Sequence, residues 1–335
     1  MKVLFIGGSG VISSACSALA LERGIDLFLL NRGVSVRPVP AGAQTLGADI
    51  YDPDAVRSAI ADHKFDAVVD WIAFKPEHIE RDIKLFRGRT DQFIFISSAS
   101  AYQKPLTYLP ITESTPLGNR FWQYSRDKIA CEESLMRAFR EDDFPITIVR
   151  PSHTYDRTML PLKGRYTVID RMRKGKKVIV HGDGTSLWVL THNTDFAKGF
   201  VGLLGNSAAI GEAFHITSDR VLTWNEIFTL SARAAGTIAD ILHVPSDVIA
   251  KYDVEWGAEL FGDKANSVIF DNSKIKRLIP DFASTVPFSK GIQEIIEWYD
   301  ADPARQAVDE SLDRLMDKII HDYASAFDPQ QKAAT

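Results

Sequence analysis

The sequence has 335 residues, which corresponds to about two domains of typical size. Hydrophobic residues make up 45% and charged residues 25%, the balance of an ordinary globular protein, so disordered and fibrous classes are excluded. The net charge of −5 gives no general attraction to nucleic acid or to an anionic membrane, and no apolar run approaches the roughly 18–20 residues of a membrane span. The two cysteines, Cys16 and Cys131, lie far apart without metal-ligand spacing, which predicts a reducing, cytoplasmic environment.

Short apolar runs alternate with longer amphipathic stretches in the first half of the sequence. The runs cover residues 3–6, 27–30, 67–72, 93–96 and 146–149. Runs of this kind are typical of strands buried on both faces of a parallel sheet, and the segments between them leave room for helical crossovers. We therefore predict an α/β fold with a doubly wound parallel sheet over residues 1–155.

The regular rhythm of strands and helices stops after Pro151. A polar loop, a basic helix beginning at Tyr166 and a glycine turn at residues 182–184 follow. This change predicts a smaller lobe over residues 156–328, with some elements crossing back to the core. Apolar residues at helical spacing over residues 308–323 predict a packed terminal helix, with a partner-binding surface as the alternative. Residues 329–335 are expected to form a frayed tail.

A glycine-rich turn directly follows the first predicted strand and precedes a helix-like stretch. Its residues are Gly7, Gly8, Ser9, Gly10, Val11, Ile12 and Ser13. Glycines allow a sharp turn and a close approach of the backbone to a pyrophosphate, and the N–H groups at the start of the next helix face the anion. The turn therefore predicts a dinucleotide site formed by residues 7–12, and a tight βα turn without a ligand is the alternative.

The second predicted strand ends at Asn31 and Arg32, about 20 residues after the glycine turn. An NAD site usually has an acidic residue here for the ribose 2′-hydroxyl, whereas a guanidinium can bind a 2′-phosphate. We therefore expect NADP or NAD, with NADP favoured, and Arg37 lies close behind as a second cation. The alternative is that Arg32 is a solvated loop charge. Asp49 and Ile50 are predicted to contact the adenine.

A tyrosine and a lysine stand four residues apart at the start of a predicted helix, so Tyr124 and Lys128 share one helix face. A nearby ammonium is expected to lower the pKa of the phenol, which would make Tyr124 a general acid/base. Ser98, at the end of a predicted central strand, could hydrogen-bond the same substrate oxygen. The alternative is an exposed tyrosine beside a solvated lysine.

These motifs together resemble the extended short-chain dehydrogenase/reductase family, in the NAD-dependent epimerase/dehydratase group. The resemblance covers most of the chain. Beyond the glycine turn and the Tyr124/Lys128 pair, it is carried by residues 98–102, 150–155, 182–184, 192–195, 214–216 and 271–274. It implies a Rossmann-like cofactor domain over residues 1–155, a substrate-binding lobe over residues 156–328, and a homodimer in which the Tyr124 helix is a candidate interface element.

The resemblance also implies roles for individual residues. Ser98, Tyr124 and Lys128 would be catalytic, with Tyr124 moving a proton on a carbinol while hydride moves to or from the nicotinamide. Lys128 would also hold the nicotinamide ribose, and the backbone after Pro151 would contact the carboxamide. Further cofactor contacts are expected from Ile72, Ala73 and His153. Substrate contacts are expected from Ser100, Tyr102, His153, Trp188 and His192.

Two departures from the family pattern narrow the expected substrate. Dehydratases of the family place Asp-Glu directly after the serine, but this chain has Ala99 and Ser100, which disfavours a 4,6-dehydratase. Many members that use nucleotide sugars have an arginine where this chain has Trp188. An indole cannot balance a diphosphate, which favours a free sugar, a sugar acid or another small polyol. Loop cations at positions 157, 163 and 165 could compensate for the missing arginine.

The competing hypothesis is a nucleotide-bound binding protein without enzymatic activity. An Asn-Arg-Gly after the second strand also occurs in a subgroup that resembles the chloroplast stem-loop RNA-binding proteins. This chain keeps Tyr124 and Lys128, which favours an enzyme acting on a sugar-like carbinol or ketone. The basic residues at 171–177 have no interleaved aromatics and are predicted to be a solvated helix end. The eight histidines lack metal-ligand spacing, so no metal site is expected.

Overall fold

The computed structural model describes residues 1–34, 37–61 and 63–326. The predicted tail at residues 329–335 lies outside the described residues. The strands are β1 Lys2–Ile6, β2 Asp26–Asn31, β3 Gln44–Gly47, β4 Ala67–Asp70, β5 Phe93–Ile96, β6 Ile146–Pro151, β7 His153–Tyr155, β8 Val178–His181, β9 Leu187–Trp188, β10 Leu190–His192, β11 Ala213–Ile216, β12 Leu222–Thr223 and β13 Ile241–Val244.

Helices connect and cover these strands. The α-helices are α1 Ser13–Glu22, α2 Pro53–Ile60, α3 Pro76–Phe86, α4 Gln123–Asp142, α5 Tyr166–Arg173, α6 Asn193–Leu203, α7 Trp224–Ala234, α8 Ser246–Tyr252, α9 Val254–Glu259, α10 Ser273–Leu278, α11 Phe288–Asp300 and α12 Glu310–Ala326. A π-helical turn, Leu260–Lys264, follows α9, and short 3₁₀ turns lie at Ala99–Ala101, Ser207–Ala209 and Pro303–Arg305. No described helix is long and apolar enough to cross a membrane.

Seven parallel strands form the central sheet in the order β11-β6-β5-β4-β1-β2-β3. All five predicted apolar runs are strands of this sheet, which confirms the Rossmann-like fold. Their side chains are buried on both faces: α1 and α6 pack on one face, while α2, α3 and α4 pack on the other. From β1, the strands β2 and β3 are added on one side, and β4, β5, β6 and β11 are added on the other. The order of the strands therefore reverses between β1 and β4, which leaves a crevice at the carboxyl ends of these two strands.

The second lobe has a separate apolar core, built from α5, α7, α11 and the β8–β13 pair. Several later elements nevertheless belong to the first core, because β11 forms the edge of the central sheet and α6 packs against α1. The predicted terminal helix is present as α12 and buries Met316 and Ile319. Arg171 is buried and paired with Asp313 and Asp317 of α12, so the prediction of a solvated basic run is wrong at this residue.

Candidate active site

The glycine turn lies at the carboxyl end of β1, where backbone conformation and packing both require glycine. Gly7 and Gly8 have φ values of 97° and 98°, in the left-handed region. A Cβ atom on Gly8 would lie 2.6 Å from Cδ2 of the buried Leu29. Ser17 Oγ donates to the Gly8 carbonyl at 2.8 Å, and Ser13 Oγ accepts from the Gly10 N–H at 2.8 Å. These two hydrogen bonds therefore hold the turn on the side that faces the protein, and its other side faces solvent.

A groove of about 540 Å³ runs along this turn, lined by residues 7–13 together with Arg37, Trp71, Ile72 and Ile96. Arg37 lies across the turn rather than beside Arg32: its Nη1 donates to Asp156 Oδ2 at 2.7 Å and approaches the Gly10 carbonyl at 3.4 Å. Its other terminal nitrogen contacts Thr158. The second cation expected from the sequence therefore connects the glycine turn to the loop after β7.

A second pocket, of about 270 Å³, opens where β2 and β3 end. Its lining includes Asn31, Arg32, Asp49, Ile50 and Ile72, as the sequence predicts for an adenosine site. Arg32 Nη1 lies 3.5 Å from Asp49 Oδ2, and the arginine side chain is 60% exposed, so its guanidinium can reach an incoming anion. Asn31 Oδ1 accepts from the Gly33 N–H at 2.9 Å and holds the turn at the rim.

The proposed catalytic hydroxyls meet at the carboxyl end of β5. Ser98 follows this strand, and Tyr124 stands in the first turn of α4. Burial raises the pKa of Tyr124 to about 12, while a hydrogen bond with Ser98 acts in the opposite direction. Ser98 Oγ lies 2.9 Å from Ser100 Oγ, which accepts from Ser125 Oγ at 2.8 Å. The hydroxyl groups of Ser98, Ser100 and Ser125 therefore form a hydrogen-bonded chain that ends at Tyr124.

Lys128 is buried one helical turn after Tyr124, and it hydrogen-bonds the backbone rather than the phenol. Its Nζ donates to the Ala73 carbonyl at 2.6 Å and to the Ile96 carbonyl at 2.8 Å. Burial lowers the pKa of Lys128 to about 8. The expectation that Lys128 lowers the pKa of Tyr124 is wrong for this arrangement, because desolvation of the phenol dominates and leaves it protonated at neutral pH.

The catalytic cavity, of about 240 Å³, opens beside these residues. It is lined by Ser98, Ala99, Ser100, Trp122, Tyr124, Pro151, Ser152, His153, Thr154, Trp188, Asp263, Lys264, Val268 and Phe270. Trp188 Nε1 donates to His153 Nδ1 at 3.1 Å, and burial lowers the pKa of His153 to about 3, so this ring is a neutral acceptor. The cavity thus collects the predicted residues Ser98, Ser100, Tyr124, His153 and Trp188.

Two residues predicted to contact substrate lie outside this cavity. Tyr102 is fully buried, and its hydroxyl bonds His215 Nδ1 at 3.0 Å. His192 caps α6: its Nδ1 lies 2.7 Å from Thr194 Oγ1, and its Nε2 lies 3.2 Å from Glu294 Oε2. Both polar side chains form internal hydrogen bonds, so the structure does not bring Tyr102 and His192 to this cavity, and their contact with substrate stays a prediction.

Part of the cavity wall is formed by residues that the motifs in the sequence do not predict. Trp122, Asp263, Lys264 and Phe270 come from segments without a recognisable motif. Asp263 and Lys264 lie in the π turn after α9, a local widening of the helix that is frequent at functional sites. Such a turn has no sequence signature that one chain alone would reveal.

A second cavity, of about 310 Å³, continues from the catalytic cavity and shares His153 and Lys264 with it. Its wall is mostly apolar and aromatic, and it also includes charged side chains. The lining includes Leu160, Leu162, Lys163, Arg165, Ile179, Trp224, Phe228, Trp256, Glu259 and Leu260. Among the described residues, no group of three or more His, Cys, Asp or Glu side chains could hold a metal ion.

The adenosine pocket, the glycine groove and the catalytic cavity lie along one crevice at the carboxyl ends of the parallel strands. The left-handed glycine turn at the start of α1 and the exposed guanidinium at the far pocket fit a dinucleotide with phosphate groups. The fold and site define a nicotinamide-cofactor-dependent class of protein. Residues 3–217 match the family described as "NAD dependent epimerase/dehydratase family", and the chain belongs to this family.

Individual relatives have several activities. The chain is 26% identical to 2'-dehydrokanamycin reductase of Streptomyces kanamyceticus over 291 residues, covering 84% of this chain and 80% of that protein. It is 27% identical over 254 residues to the chloroplast stem-loop binding protein of 41 kDa b of Arabidopsis thaliana, covering 70% and 63% respectively. This chain therefore spans slightly less than two thirds of the stem-loop binding protein.

Solved structures of epimerases share the fold. The UDP-glucose 4-epimerase of Bifidobacterium longum, in complex with NAD⁺ and UDP, superposes with a TM-score of 0.73 at 19% identity, covering 90% of this chain and 99% of that one. An epimerase of Methanothermobacter thermautotrophicus gives a TM-score of 0.74 at 16% identity, covering 91% and 94%. The dTDP-glucose 4,6-dehydratase of Bacillus anthracis and the UDP-glucose 4-epimerase of Thermus thermophilus, both solved in complex with NAD, share this fold as well.

Proposed function

We propose that this protein reduces a ketone on a sugar-like substrate with a nicotinamide cofactor. The observation that carries the proposal is the position of Tyr124, which lines the catalytic cavity together with Ser98 and is hydrogen-bonded to it. A protonated phenol is a general acid, and the reduction of a ketone needs a proton at the oxygen that becomes a hydroxyl. The similarity to a reductase over 84% of the chain supports the same direction.

Each residue then has a defined task. A nicotinamide cofactor, when bound, would supply the hydride that the carbonyl carbon needs. Tyr124 donates its proton to the carbonyl oxygen, and Ser98 orients that oxygen through a second hydrogen bond. Ser100 and Ser125 fix the Ser98 hydroxyl from behind. Lys128 holds the backbone at Ala73 and Ile96, where the ribose of the nicotinamide would lie.

The proposed cofactor is NADP. The exposed guanidinium of Arg32 lines the adenosine pocket and is only loosely paired with Asp49. A 2′-phosphate would find a cation at this rim, and bidentate pairing with a guanidinium is strong. Asn31 adds no negative charge at this rim.

The proposed substrate is a sugar-like ketone held between aromatic walls. Trp122 and Trp188 both line the catalytic cavity, and aromatic faces pack well against the apolar faces of sugars. Epimerisation would use the same catalytic residues with the cofactor retained. A homodimer and a cytoplasmic location stay predictions from the family resemblance and the cysteine content.

A second candidate function is RNA binding on the same scaffold, which the similarity to a stem-loop binding protein favours. The buried Lys128 and the hydroxyl chain around Tyr124 support the enzyme instead, because an RNA-binding surface does not need a buried acid in a cavity. The two functions make different predictions for Tyr124→Phe. An enzyme would lose activity without the phenol hydroxyl, whereas RNA binding would be unchanged.

The test is a screen of NADPH and NADH oxidation with ketosugars, using the wild type, Tyr124→Phe and Tyr108→Phe. Tyr108 is exposed and serves as the matched control. We expect turnover by the wild type and by the control, and a loss of about a thousandfold in kcat for Tyr124→Phe, because the proton donor is gone. The proposal is overturned if no ketosugar is turned over while the protein binds stem-loop RNA tightly and Tyr124→Phe changes nothing.

A further inference from the structure

The loop between β4 and α3, residues 71–75, contacts both ends of the crevice. Ile72 lines the adenosine pocket and also the glycine groove. At the catalytic end, the Ala73 carbonyl accepts from Lys128 Nζ at 2.6 Å, and the centre of the Phe74 ring lies 4.5 Å from the same ammonium. The conformation of this β4–α3 loop therefore determines both the shape of the groove and the place of the Lys128 ammonium.

Asp70, the last residue of β4, is fully buried and holds this loop in place. Its Oδ1 accepts from the Ile72 N–H at 2.6 Å and from the Ala73 N–H at 2.8 Å. Its other oxygen, Oδ2, is also buried, and no N–H or hydroxyl group of the described residues donates to it. A buried carboxylate oxygen without a donor is costly, so this atom needs a partner.

The side chain of Asp82, on α3, supplies that partner. Asp82 is fully buried, and among the described N–H and hydroxyl groups none donates to its Oδ2 either. Burial raises the pKa of Asp82 well above its usual value, and the charge of Asp70 and a hydrogen bond with Asp70 raise it further. The ion pair with Arg81 opposes this shift only in part. One proton on Asp82 satisfies both oxygens, because a protonated carboxyl group donates its O–H to a neighbouring carboxylate.

Arg81 balances the remaining charge and connects the two aspartates to the adenosine pocket. Its Nε donates to Asp82 Oδ1 at 2.8 Å, whereas its Nη2 lies 3.6 Å from Asp70 Oδ2, beyond hydrogen-bond distance. Its guanidinium carbon lies 5.1 Å from the ring centre of Tyr51, which lines the adenosine pocket. One carboxylate, one carboxyl group and one guanidinium therefore form an electrically neutral unit between the β4–α3 loop and this pocket.

Other titratable groups face this unit from α3 and α4. They are His78, whose Nδ1 accepts from the Phe74 N–H at 3.2 Å, and Lys128 and Cys131 of α4. Burial lowers the pKa of His78 and raises the pKa of Cys131 to about 12, so both side chains are uncharged at pH 7. Changes in charge around the unit near this pH therefore arise from Asp82 and Lys128.

We propose that Asp70 and Asp82 share one proton and act as positioning residues that hold the β4–α3 loop in the conformation that binds the cofactor. The proposal rests on the cofactor part of the proposed function and not on the direction of the reaction. Loss of the shared proton would leave two negative charges beside each other and Asp70 Oδ2 without a donor. The loop that carries Ile72 and Ala73 would then lose its anchor.

The test compares Asp82→Asn with Asp82→Leu and uses Asp91→Asn as the control, because Asp91 forms an exposed ion pair with Lys64. Asparagine keeps the shape of the side chain and offers an N–H group in place of the carboxyl O–H, whereas leucine offers neither a donor nor an acceptor. Fluorescence titration with NADPH and NADH measures cofactor affinity. Infrared difference spectra between the wild type and each variant detect the C=O stretch of a protonated carboxyl group.

We expect a protonated carboxyl band in the wild type and in Asp91→Asn that is missing from Asp82→Asn. Affinity for the more tightly bound cofactor should stay within about twofold of the wild type in Asp82→Asn and fall by at least about tenfold in Asp82→Leu. Rescue by asparagine separates a hydrogen-bond donor from a negative charge. If Asp82→Leu fails to fold, the infrared band and the pH dependence of stability still test the shared proton.

The pH dependence follows from the raised pKa of Asp82. Above about pH 4 the unfolded chain has released the proton that the folded protein still holds, so the free energy of unfolding falls as the pH rises. Relative to Asp82→Asn, we expect the unfolding equilibrium constant of the wild type to rise by up to about tenfold per pH unit between about pH 5 and pH 7. Denaturant unfolding of both proteins measures this ratio.

A ratio that is independent of pH, or a wild type without the carboxyl band, overturns the shared proton. Equal cofactor affinity in folded Asp82→Asn and Asp82→Leu overturns the positioning role. A protein that reduces ketosugars while all variants bind the cofactor alike would overturn this inference and leave the proposed reductase intact. The expected affinities in a protein that reduces no ketosugar would support the inference and reject the proposed reductase.

Discussion

The cofactor groove and the substrate wall lie in the same crevice but are assembled in different ways. Residues 7–13 form most of the groove as one short turn, and glycine is required at Gly7 and Gly8 by the local backbone conformation. The substrate wall combines Trp122, His153, Trp188 and Asp263 from four distant parts of the chain. A ligand shared by a whole family can be held by a local motif, whereas a particular substrate is recognised by tertiary contacts.

The two regions also differ in how they hold charge. Arg32 and Asp49 at the adenosine pocket form a loose pair at 3.5 Å with substantial exposure. Lys128 in the catalytic region is buried, and its pKa is lowered to about 8. Charge near the adenosine is thus easily rearranged by a ligand, whereas charge near the reacting carbon is fixed by the fold. Three substitutions test this contrast.

The largest effect on cofactor binding is expected for Gly8→Ala, because this substitution disturbs the backbone of the glycine turn. The new Cβ would lie 2.6 Å from Leu29 Cδ2, and the residue would have to keep a φ of 98°. We expect cofactor affinity to fall by at least about 100-fold, together with a loss of stability of about 2 kcal/mol. Gly24→Ala is the control, since it has φ 74° with nothing within 4 Å of the added atom, and it should leave cofactor affinity unchanged. Equal cofactor affinity in the two variants would contradict a groove shaped by packing.

The next effect concerns the buried charge of Lys128. Its pKa in the folded protein is about 8, below the value of 10.5 expected for the unfolded chain. Between these values the unfolded state binds more protons, so the free energy of unfolding rises with pH. Relative to Lys128→Met, we expect the wild type to gain about 2–3 kcal/mol of stability between pH 7 and pH 10. Denaturant unfolding of both proteins across this range measures it, and a difference that stays constant with pH would show that Lys128 is not desolvated.

The smallest effect is expected at the exposed end of the crevice. Removal of the guanidinium in Arg32→Ala should lower the affinity for NADP by about tenfold and the affinity for NAD by less than about twofold. The reason is that only NADP has a 2′-phosphate. Arg87→Ala, which removes a surface ion pair with Asp142, is the control. Fluorescence titration with both cofactors checks this result. An equal loss of affinity for NADP and NAD would contradict the proposal that the cofactor is NADP.

The sequence predicts the cofactor region better than the substrate region, and particular residues explain why. The apolar runs and the glycine turn depend on local chemistry, so the sheet is confirmed and the turn lies at the end of β1 as predicted. Tyr102 and His192 are motif residues whose hydrogen bonds to His215 and Glu294 are made by the fold, so their roles could not be inferred from spacing. Asp263 depends on a π turn, which sequence periodicity does not reveal.

The pKa of Tyr124 was the other feature that the sequence could not provide. The four-residue spacing to Lys128 correctly predicts that both residues begin the same helix. It does not reveal that the Lys128 ammonium turns towards the carbonyls of Ala73 and Ile96, or how strongly the phenol is desolvated. Desolvation favours the neutral phenol, which is the form that donates a proton in the proposed reduction.

The central claim is that Tyr124 protonates an oxygen while hydride arrives from the cofactor. Single-turnover reduction with NADPH deuterated at nicotinamide C4 tests it most directly. The account predicts that deuterium appears on the carbinol carbon of the product with the wild type. It further predicts that Tyr124→Phe slows this transfer by about a thousandfold while binding NADPH equally well. Transfer at the wild-type rate in Tyr124→Phe, or product without deuterium from the wild type, would contradict the account.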